Sequence, residues 1–349
     1  MSTFWGTKVM GAGSVLLHLT GHQGGGAPGP ARRGSGLSGA KRWLIGLVSL
    51  AVLAALADVS RPARAQTGLQ APDTSAGAPV DVEAQLGFSN TFRLGRWTPL
   101  VVTVSNRGND LSGFLEVQVT GGNEFQGNLY NTFHRRPLEL PRDARKRLRF
   151  TVFLDSFARP LTMRVVSGER ELAHQSIDLR QTFTNNRLIL ALSRDADLDY
   201  LNDGGGDGLR VLYPHPELLP DHWQGYDGVE AIVIHGVSLE RLSTRQYEAI
   251  KKWMARGGIA AVSGGPDHAL LRTARLAELL PGTPAGTVRL ENASALNEAL
   301  LASLSAPPLD APEPFTLDRF TNPRGRVLYR VESTPLVVRE PRGRGAVLY

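Results

Sequence analysis

The hydrophobic residues of this 349-residue chain follow two different patterns, and the pattern changes near residue 186. Before that point, short segments place apolar residues at every second position, as at Val82, Ala84, Leu86 and Phe88. About six such segments, joined by polar turns, predict short strands that each bury one face. Strands of this kind pack as two antiparallel sheets. We therefore expect an antiparallel immunoglobulin-like β-sandwich over residues 81–181.

From residue 186 onward the apolar residues form unbroken runs, at 188–192, 229–234 and 259–262. Such runs are typical of strands that helices cover on both faces. Between the last two runs, Ser243 and Gln246 have the spacing of a capping box, which predicts the start of a helix. Strand–helix–strand units imply parallel strands joined by right-handed crossovers. We therefore expect a doubly wound α/β domain of the flavodoxin type over residues 186–285.

The rest of the chain continues this domain. Residues 267–280 predict a second helix, which a Pro-Gly pair ends. Residues 286–349 begin with a Pro-rich segment and continue as strand-like runs, which we assign to the C-terminal strands of the α/β domain. The last run stops in mid-strand at Tyr349. We therefore expect the sequence to be truncated there, with a membrane helix as one possible continuation.

Residues 41–65 have the three parts of an export signal. Two basic residues precede an apolar run over 43–57, and a small-x-small triplet ends the segment at Ala65. This pattern predicts either a signal peptide cleaved after Ala65 or an uncleaved signal anchor. The Gly-, Ser- and Pro-rich residues 1–40 predict a disordered leader, and residues 66–80 predict a linker.

The positive charge of the chain is concentrated near its start. The formal net charge is +6, but residues 1–65 hold seven basic residues against one acid, so the remainder is neutral. A neutral folded part does not favour phosphate backbones, and we predict no nucleic-acid partner. The chain has no cysteine, which excludes disulfides, thiolate metal sites and cysteine nucleophiles.

Four stretches of the chain carry a resemblance to known proteins: residues 92–106, 226–234, 242–253 and 257–265. With them the chain resembles a group of uncharacterised bacterial envelope proteins. These proteins join an immunoglobulin-like sandwich to a class I glutamine amidotransferase-like domain, often with membrane helices. The resemblance implies an amidotransferase-like fold for the second half. True amidotransferases use a cysteine nucleophile, so the resemblance also implies that glutaminase chemistry is absent here.

His235 and Ser238 are the candidates for nucleophilic catalysis. They follow the apolar run at 229–234, at the carboxyl end of a predicted strand, where α/β sheets bind ligands. Ser238 as nucleophile and His235 as base would need a sharp turn and an orienting carboxylate. The chain has no G-x-S-x-G motif. We therefore favour a loop with an incidental histidine, and we keep catalysis and a ligand contact as the alternatives.

Five carboxylates within thirteen residues are the candidates for a metal site: Asp195, Asp197, Asp199, Asp203 and Asp207. Hard cations such as Ca²⁺ prefer carboxylate oxygens. The calcium-loop template fails, however, because Tyr200 stands where the sharp-turn glycine belongs and Gly206 replaces the terminal glutamate. We favour a solvated acidic loop and keep the metal site as the alternative.

Three further groups have weaker signals. Residues 263–266 follow a predicted strand and include two glycines. They fit either a tight turn or a site where backbone amides bind an anion. A basic patch suits a solvated sheet face or an anionic lipid or polymer surface: Arg142, Arg145, Lys146, Arg147 and Arg149. The remaining scattered histidines lack metal-ligand spacing, and we assign them no role: His134, His174, His215, His222 and His268.

Together these patterns predict an exported protein of the bacterial cell envelope, periplasmic or on the extracytoplasmic side of the inner membrane. We expect a non-catalytic binding or scaffolding role, other envelope proteins as partners and no cofactor. Membrane association is expected through residues 43–57 or a segment beyond Tyr349. The alternatives are a ligand-sensing domain and an extracytoplasmic hydrolase that uses Ser238 or a bound metal.

Overall fold

The computed structural model describes residues 79–196, 198–202, 208–291, 294, 297, 314–331 and 333–349. The expected leader, the export signal with its apolar run and nearly all of the linker lie outside this part, so they stay predictions. The described residues all belong to one compact unit.

The first half of the described chain is built from nine strands: β1 (Val80–Leu86), β2 (Phe92–Arg93), β3 (Arg96–Asn106), β4 (Leu111–Gly121), β5 (Tyr130–Leu140), β6 (Arg145–Leu154), β7 (Leu161–Ser167), β8 (Arg170–Ile177) and β9 (Phe183–Thr184). Seven of them form two antiparallel sheets, ordered β1-β3-β6 and β5-β4-β7-β8, and β2 pairs with β9. Alternate residues of the two sheets, such as Val102, Leu115 and Val152, are fully buried in one core. We call this half the sandwich.

The second half is built from nine further strands: β10 (Arg187–Leu192), β11 (Leu209–Leu212), β12 (Val229–His235), β13 (Ile259–Ser263), β14 (Thr283–Leu290), β15 (Phe315–Thr321), β16 (Arg326–Val331), β17 (Thr334–Arg342) and β18 (Gly345–Leu348). Seven of them form one sheet, ordered β11-β10-β12-β13-β18-β17-β16, and β14 pairs with β15. The first five strands of this mixed sheet run parallel, and β17 is antiparallel to both of its neighbours, β18 and β16.

Two α-helices are described, α1 (Thr244–Ala255) and α2 (Ala274–Leu279). The predicted capping box at the start of α1 is confirmed, because the Ser243 and Gln246 side chains each accept the other's backbone N–H. The single helix expected over 267–280 is wrong. Gly265–Arg272 is a 3₁₀ helix, and Thr273 in extended conformation separates it from α2.

The expected fold class, an immunoglobulin-like sandwich followed by a doubly wound α/β domain, is wrong. The structure is mostly β, with 52% strand and 18% helix. A doubly wound domain has helices on both faces of its sheet, whereas both described α-helices pack on the face that holds Leu190 and Val262. The opposite face buries Ile189 and Val233 beneath Leu198, which lies in an irregular connection. Apolar runs show that strands are buried on two faces, but not what covers them.

No helix of the described residues is long and apolar enough to cross a membrane. The expectation of a transmembrane protein is therefore corrected for this part of the chain, while the apolar run at 43–57 lies outside it. The amidotransferase-like designation is also corrected, because the structure is mostly β.

The sandwich and the mixed sheet are in direct contact. The ring of Phe88, from the sandwich, lies 6.1 Å from the ring of Tyr226 and is buried in the core of the mixed sheet. The guanidinium of Arg147 lies 3.3 Å from the Glu217 carboxylate. Arg149 donates to the Glu217 backbone oxygen at 2.7 Å. Apolar packing and charged contacts thus join the two halves.

Candidate functional site

The five parallel strands of the mixed sheet end side by side. We call the residues there the carboxyl edge: Arg194, His235, Gly236, Ser263, Gly264, Asp267 and Tyr349. From β10 the chain passes to β11 on one side and then returns to β12 on the other. Parallel sheets place ligands outside their carboxyl ends, at the point where the connections diverge in this way. The carboxyl edge between β10 and β12 is therefore the candidate functional site.

His235 and Ser263 contact each other at this edge. They are the last residues of β12 and β13 and are paired in register. The imidazole Nδ1 lies 3.2 Å from the Ser263 Oγ, and the tautomer of the histidine decides which atom donates. A hydroxyl held by an imidazole is the contact from which a base activates a nucleophile. The same contact also satisfies two partly buried polar groups.

Asp267 lies beside this pair. Gly236, directly after β12, has φ +59, and a Cβ built there would approach the Asp267 carboxylate to 2.9 Å. The other side of the carboxylate faces the Arg194 guanidinium at 3.5 Å. An ion pair therefore links the segment after β10 to the 3₁₀ helix after β13. A glycine at position 236 permits both the left-handed backbone and the close approach.

Tyr349 and Asp318 form a buried pair at the neighbouring strand end. The Tyr349 hydroxyl donates to the Asp318 carboxylate, and Asp318 is only 6% exposed. Burial raises the pKa of the Tyr349 phenol well above its usual range, and the adjacent Asp318 raises it further. The backbone of Gly264 also hydrogen-bonds this phenol. One of the backbone amides considered for an anion is thus already engaged.

The two weak catalytic candidates, His235 and Ser238, each contact a different residue. The Ser238 Oγ accepts the backbone N–H of Glu240 at 3.3 Å and caps the short 3₁₀ turn Leu239–Arg241. His235 contacts Ser263 instead. Sequence reasoning treated Ser263 only as part of a glycine turn and missed Asp267 and the Tyr349 pair. The available signal was that His235 and Ser263 each follow an apolar run directly.

The acidic segment is only partly described. Asp195 and Asp199 are exposed, whereas Asp197, Asp203 and Asp207 lie outside the described residues. The Asp195 backbone oxygen accepts from the Ser193 hydroxyl at 2.6 Å, and the Asp199 carboxylate accepts from an Asn202 side chain at 3.4 Å. Across the described part of the chain, no group of three or more His, Asp or Glu residues has the arrangement of a metal site.

The basic patch is largely ion-paired. Arg145 lies 2.7 Å from Glu83, and Arg147 contacts Glu217 of the second half. Their side chains remain 60% and 39% exposed. This agrees with a solvated sheet face whose charges are balanced locally, and it leaves less positive charge for an anionic surface.

Large apolar side chains exposed to solvent are concentrated in the sandwich. Among the described residues, nine such side chains are exposed, and eight of them fall between positions 94 and 157: Leu94, Trp97, Phe114, Phe125, Tyr130, Phe133, Phe153 and Phe157. The ninth is Leu328 in β16. Exposed apolar groups that gather on one part of a protein mark interaction surfaces more often than scattered ones do.

Comparison with known families identifies part of the sandwich. Residues 79–180 match a domain of unknown function, DUF8726. No curated protein matches the chain. The match covers less than half of the chain and assigns no activity to it.

Solved structures show only weak likeness. Pseudomonas fluorescens alkylpurine DNA glycosylase AlkC, bound to DNA with an abasic site analogue, is 12% identical with a TM-score of 0.23, over 30% of this chain and 31% of that one. A β-glucosidase from Listeria innocua is 11% identical with a TM-score of 0.22, over 29% of this chain and 16% of that one. The chain thus spans less than a third of either protein, and scores this low carry no argument about fold or function.

Proposed function

We propose that this protein is a non-catalytic binding component of the bacterial cell envelope, and that its sandwich carries the binding surface. The location rests on the export signal predicted over residues 41–65. The binding role rests on one observation, the concentration of exposed aromatic side chains in the sandwich. Apolar surface in contact with water is stabilised when a partner covers it.

Phe125 shows why these rings are suited to contact. It lies between β4 and β5 in a single 3₁₀ turn, and its side chain is 101% exposed. The Asn123 side chain accepts the Phe125 N–H at 2.9 Å, and Gly127 ends the turn in the left-handed conformation. Local hydrogen bonds thus hold the ring away from the core. A projecting aromatic anchor of this kind fills pockets in partner proteins.

Site-specific photo-crosslinking in growing cells tests the proposal. A photoreactive phenylalanine analogue replaces Phe125 or Phe133, and the matched control replaces Leu328, an exposed apolar residue outside the sandwich. We expect a discrete heavier adduct in the envelope fraction from positions 125 and 133, and none from position 328. Equal adducts from all three positions, none from 125 and 133, or recovery of the protein in the cytoplasmic fraction would contradict the proposal.

A further inference from the structure

Strand β5 is an open edge of the sandwich. All eleven of its residues pair with β4 without a register shift, from Tyr130 opposite Gly121 to Leu140 opposite Leu111. Among the described residues, no strand pairs with its other side. A strand paired on one side leaves the N–H and C=O groups of alternate residues pointing outward, ready for another strand.

The first seven residues of β5, 130–136, are the open part. Six of them are exposed and His134 is half-buried, so both faces of this stretch meet solvent. Pro137 follows, and Leu138 is fully buried. Proline removes an N–H donor and is a common protection of sheet edges. Residues 130–136 contain no proline, so the only proline that could block strand pairing in β5 lies directly after the open stretch.

Two of the other edge strands, β16 and β6, are less open. β16 borders the mixed sheet, but its pairing with β17 has register shifts at Val327/Tyr329 and Tyr329/Arg330. Such bulges twist an edge and discourage further pairing. β6 borders the first sandwich sheet, and Arg147 and Arg149 on it contact Glu217 of the second half. β5 therefore combines regular geometry with exposure.

The side chains of the open stretch are basic and aromatic. The guanidinium of Arg135 lies 4.0 Å from the centre of the Phe114 ring, and that of Arg136 lies 5.5 Å from the centre of the Phe150 ring. Within the described residues, neither guanidinium forms an ion pair with a carboxylate. Stacking holds both charges beside the edge without neutralising them. The exposed ring of Phe133 adds apolar area.

These charges decide which partner fits. A parallel, in-register pair of β5 strands would place the arginines of one copy beside those of the other, and like charges on adjacent strands are destabilising. An acidic strand would instead place carboxylates opposite unpaired guanidinium groups. We propose that residues 130–136 accept an extended acidic segment of a partner protein as an additional β-strand. This inference rests on the proposed binding function and names its mode.

Peptide binding to the full chain tests this mode. The probe is a fluorescent seven-residue peptide that alternates glutamate and valine. One comparison peptide carries lysine in place of glutamate, and another is the acidic peptide N-methylated at alternate residues. Anisotropy should show binding of the acidic peptide, at least tenfold weaker binding of the lysine peptide, and at least tenfold weaker binding of the N-methylated one. Hydrogen exchange should slow at residues 130–136 only when the acidic peptide binds.

Charge reversal on the protein provides the second arm. The double variant Arg135→Glu with Arg136→Glu should lower the affinity for the acidic peptide at least tenfold and raise the affinity for the lysine peptide. The matched control, Arg326→Glu with Arg330→Glu on the edge strand β16, should leave both affinities within twofold. Circular dichroism verifies the fold of each variant. Equal binding of the N-methylated and acidic peptides to the unmodified protein would overturn strand addition whatever the variants do.

The two proposals fail in different ways. If position 125 forms crosslinks but the acidic peptide does not bind, the proposed binding role in the envelope stands and strand addition is overturned. Binding of the acidic peptide without any crosslink in cells would support strand addition and overturn the proposed envelope role.

Discussion

At the scale of single residues, the sandwich depends on one buried amide. Asn106 is 2% exposed. Its Nδ2 donates to the backbone oxygens of Leu140 and Asn109 at 3.0 and 2.7 Å, and its Oδ1 accepts the N–H of Gly108 at 2.9 Å. One side chain thus joins the end of β3 to the end of β5 and closes the turn between β3 and β4. An alanine would leave these backbone groups without their partner.

Asn106→Ala is therefore expected to lower the free energy of unfolding by about 2–3 kcal/mol, because several buried polar groups lose hydrogen bonds. Urea denaturation followed by circular dichroism measures the change. Asn109→Ala is the matched control, since its exposed side chain can be removed at a cost within about 0.5 kcal/mol. If both variants lower the free energy of unfolding equally, the hydrogen bonds of the Asn106 side chain contribute nothing measurable to stability.

At the scale of elements, a local signal predicted the start of α1, whereas contacts between distant residues could not be predicted. The start of α1 was predictable because Ser243 and Gln246 satisfy each other three residues apart. The contact of His235 with Ser263 depends on how β12 and β13 pair across 28 residues, which no local pattern encodes. The prediction that helices cover both faces of the mixed sheet was wrong for the same reason. An apolar run reports burial without identifying the neighbour.

Gln246 also has a role beyond the capping box. Its Nε2 donates to the backbone oxygens of Pro216 and Leu219 at 2.8 and 2.9 Å, and the residue is 4% exposed. Ser243→Ala is expected to cost about 1 kcal/mol of stability, as for other helix caps. Gln246→Ala is expected to cost about 2–3 kcal/mol, because two carbonyl oxygens also lose a donor.

Thermal and urea unfolding of the two variants measure this difference. Arg245→Ala is the control, because its side chain is exposed in the same turn of the helix. If Gln246→Ala and Ser243→Ala cost the same, the contacts to residues 216 and 219 contribute nothing measurable.

At the scale of the whole molecule, Phe88 joins the two halves. The alternating pattern places Phe88 on the same face as Val82 and Leu86, which are buried in the sandwich core. The strand ends at Leu86, however, and Gly87 with φ +63 turns the chain. Phe88 therefore enters the other core, against Tyr226, which is fully buried. A strand pattern read past its end assigned this residue to the wrong half.

Because one aromatic side chain of the sandwich is a core residue of the mixed sheet, we expect the two halves to unfold in a single transition. Phe88→Ala should cost about 3–4 kcal/mol, the usual loss for a buried phenylalanine. Scanning calorimetry should show one unfolding peak for the unmodified protein. The variant should show a peak at a lower temperature, or two separate peaks. Phe125→Ala removes a fully exposed ring and should leave the midpoint unchanged. If the unmodified protein shows two peaks and Phe88→Ala shifts only one of them, the two halves unfold independently.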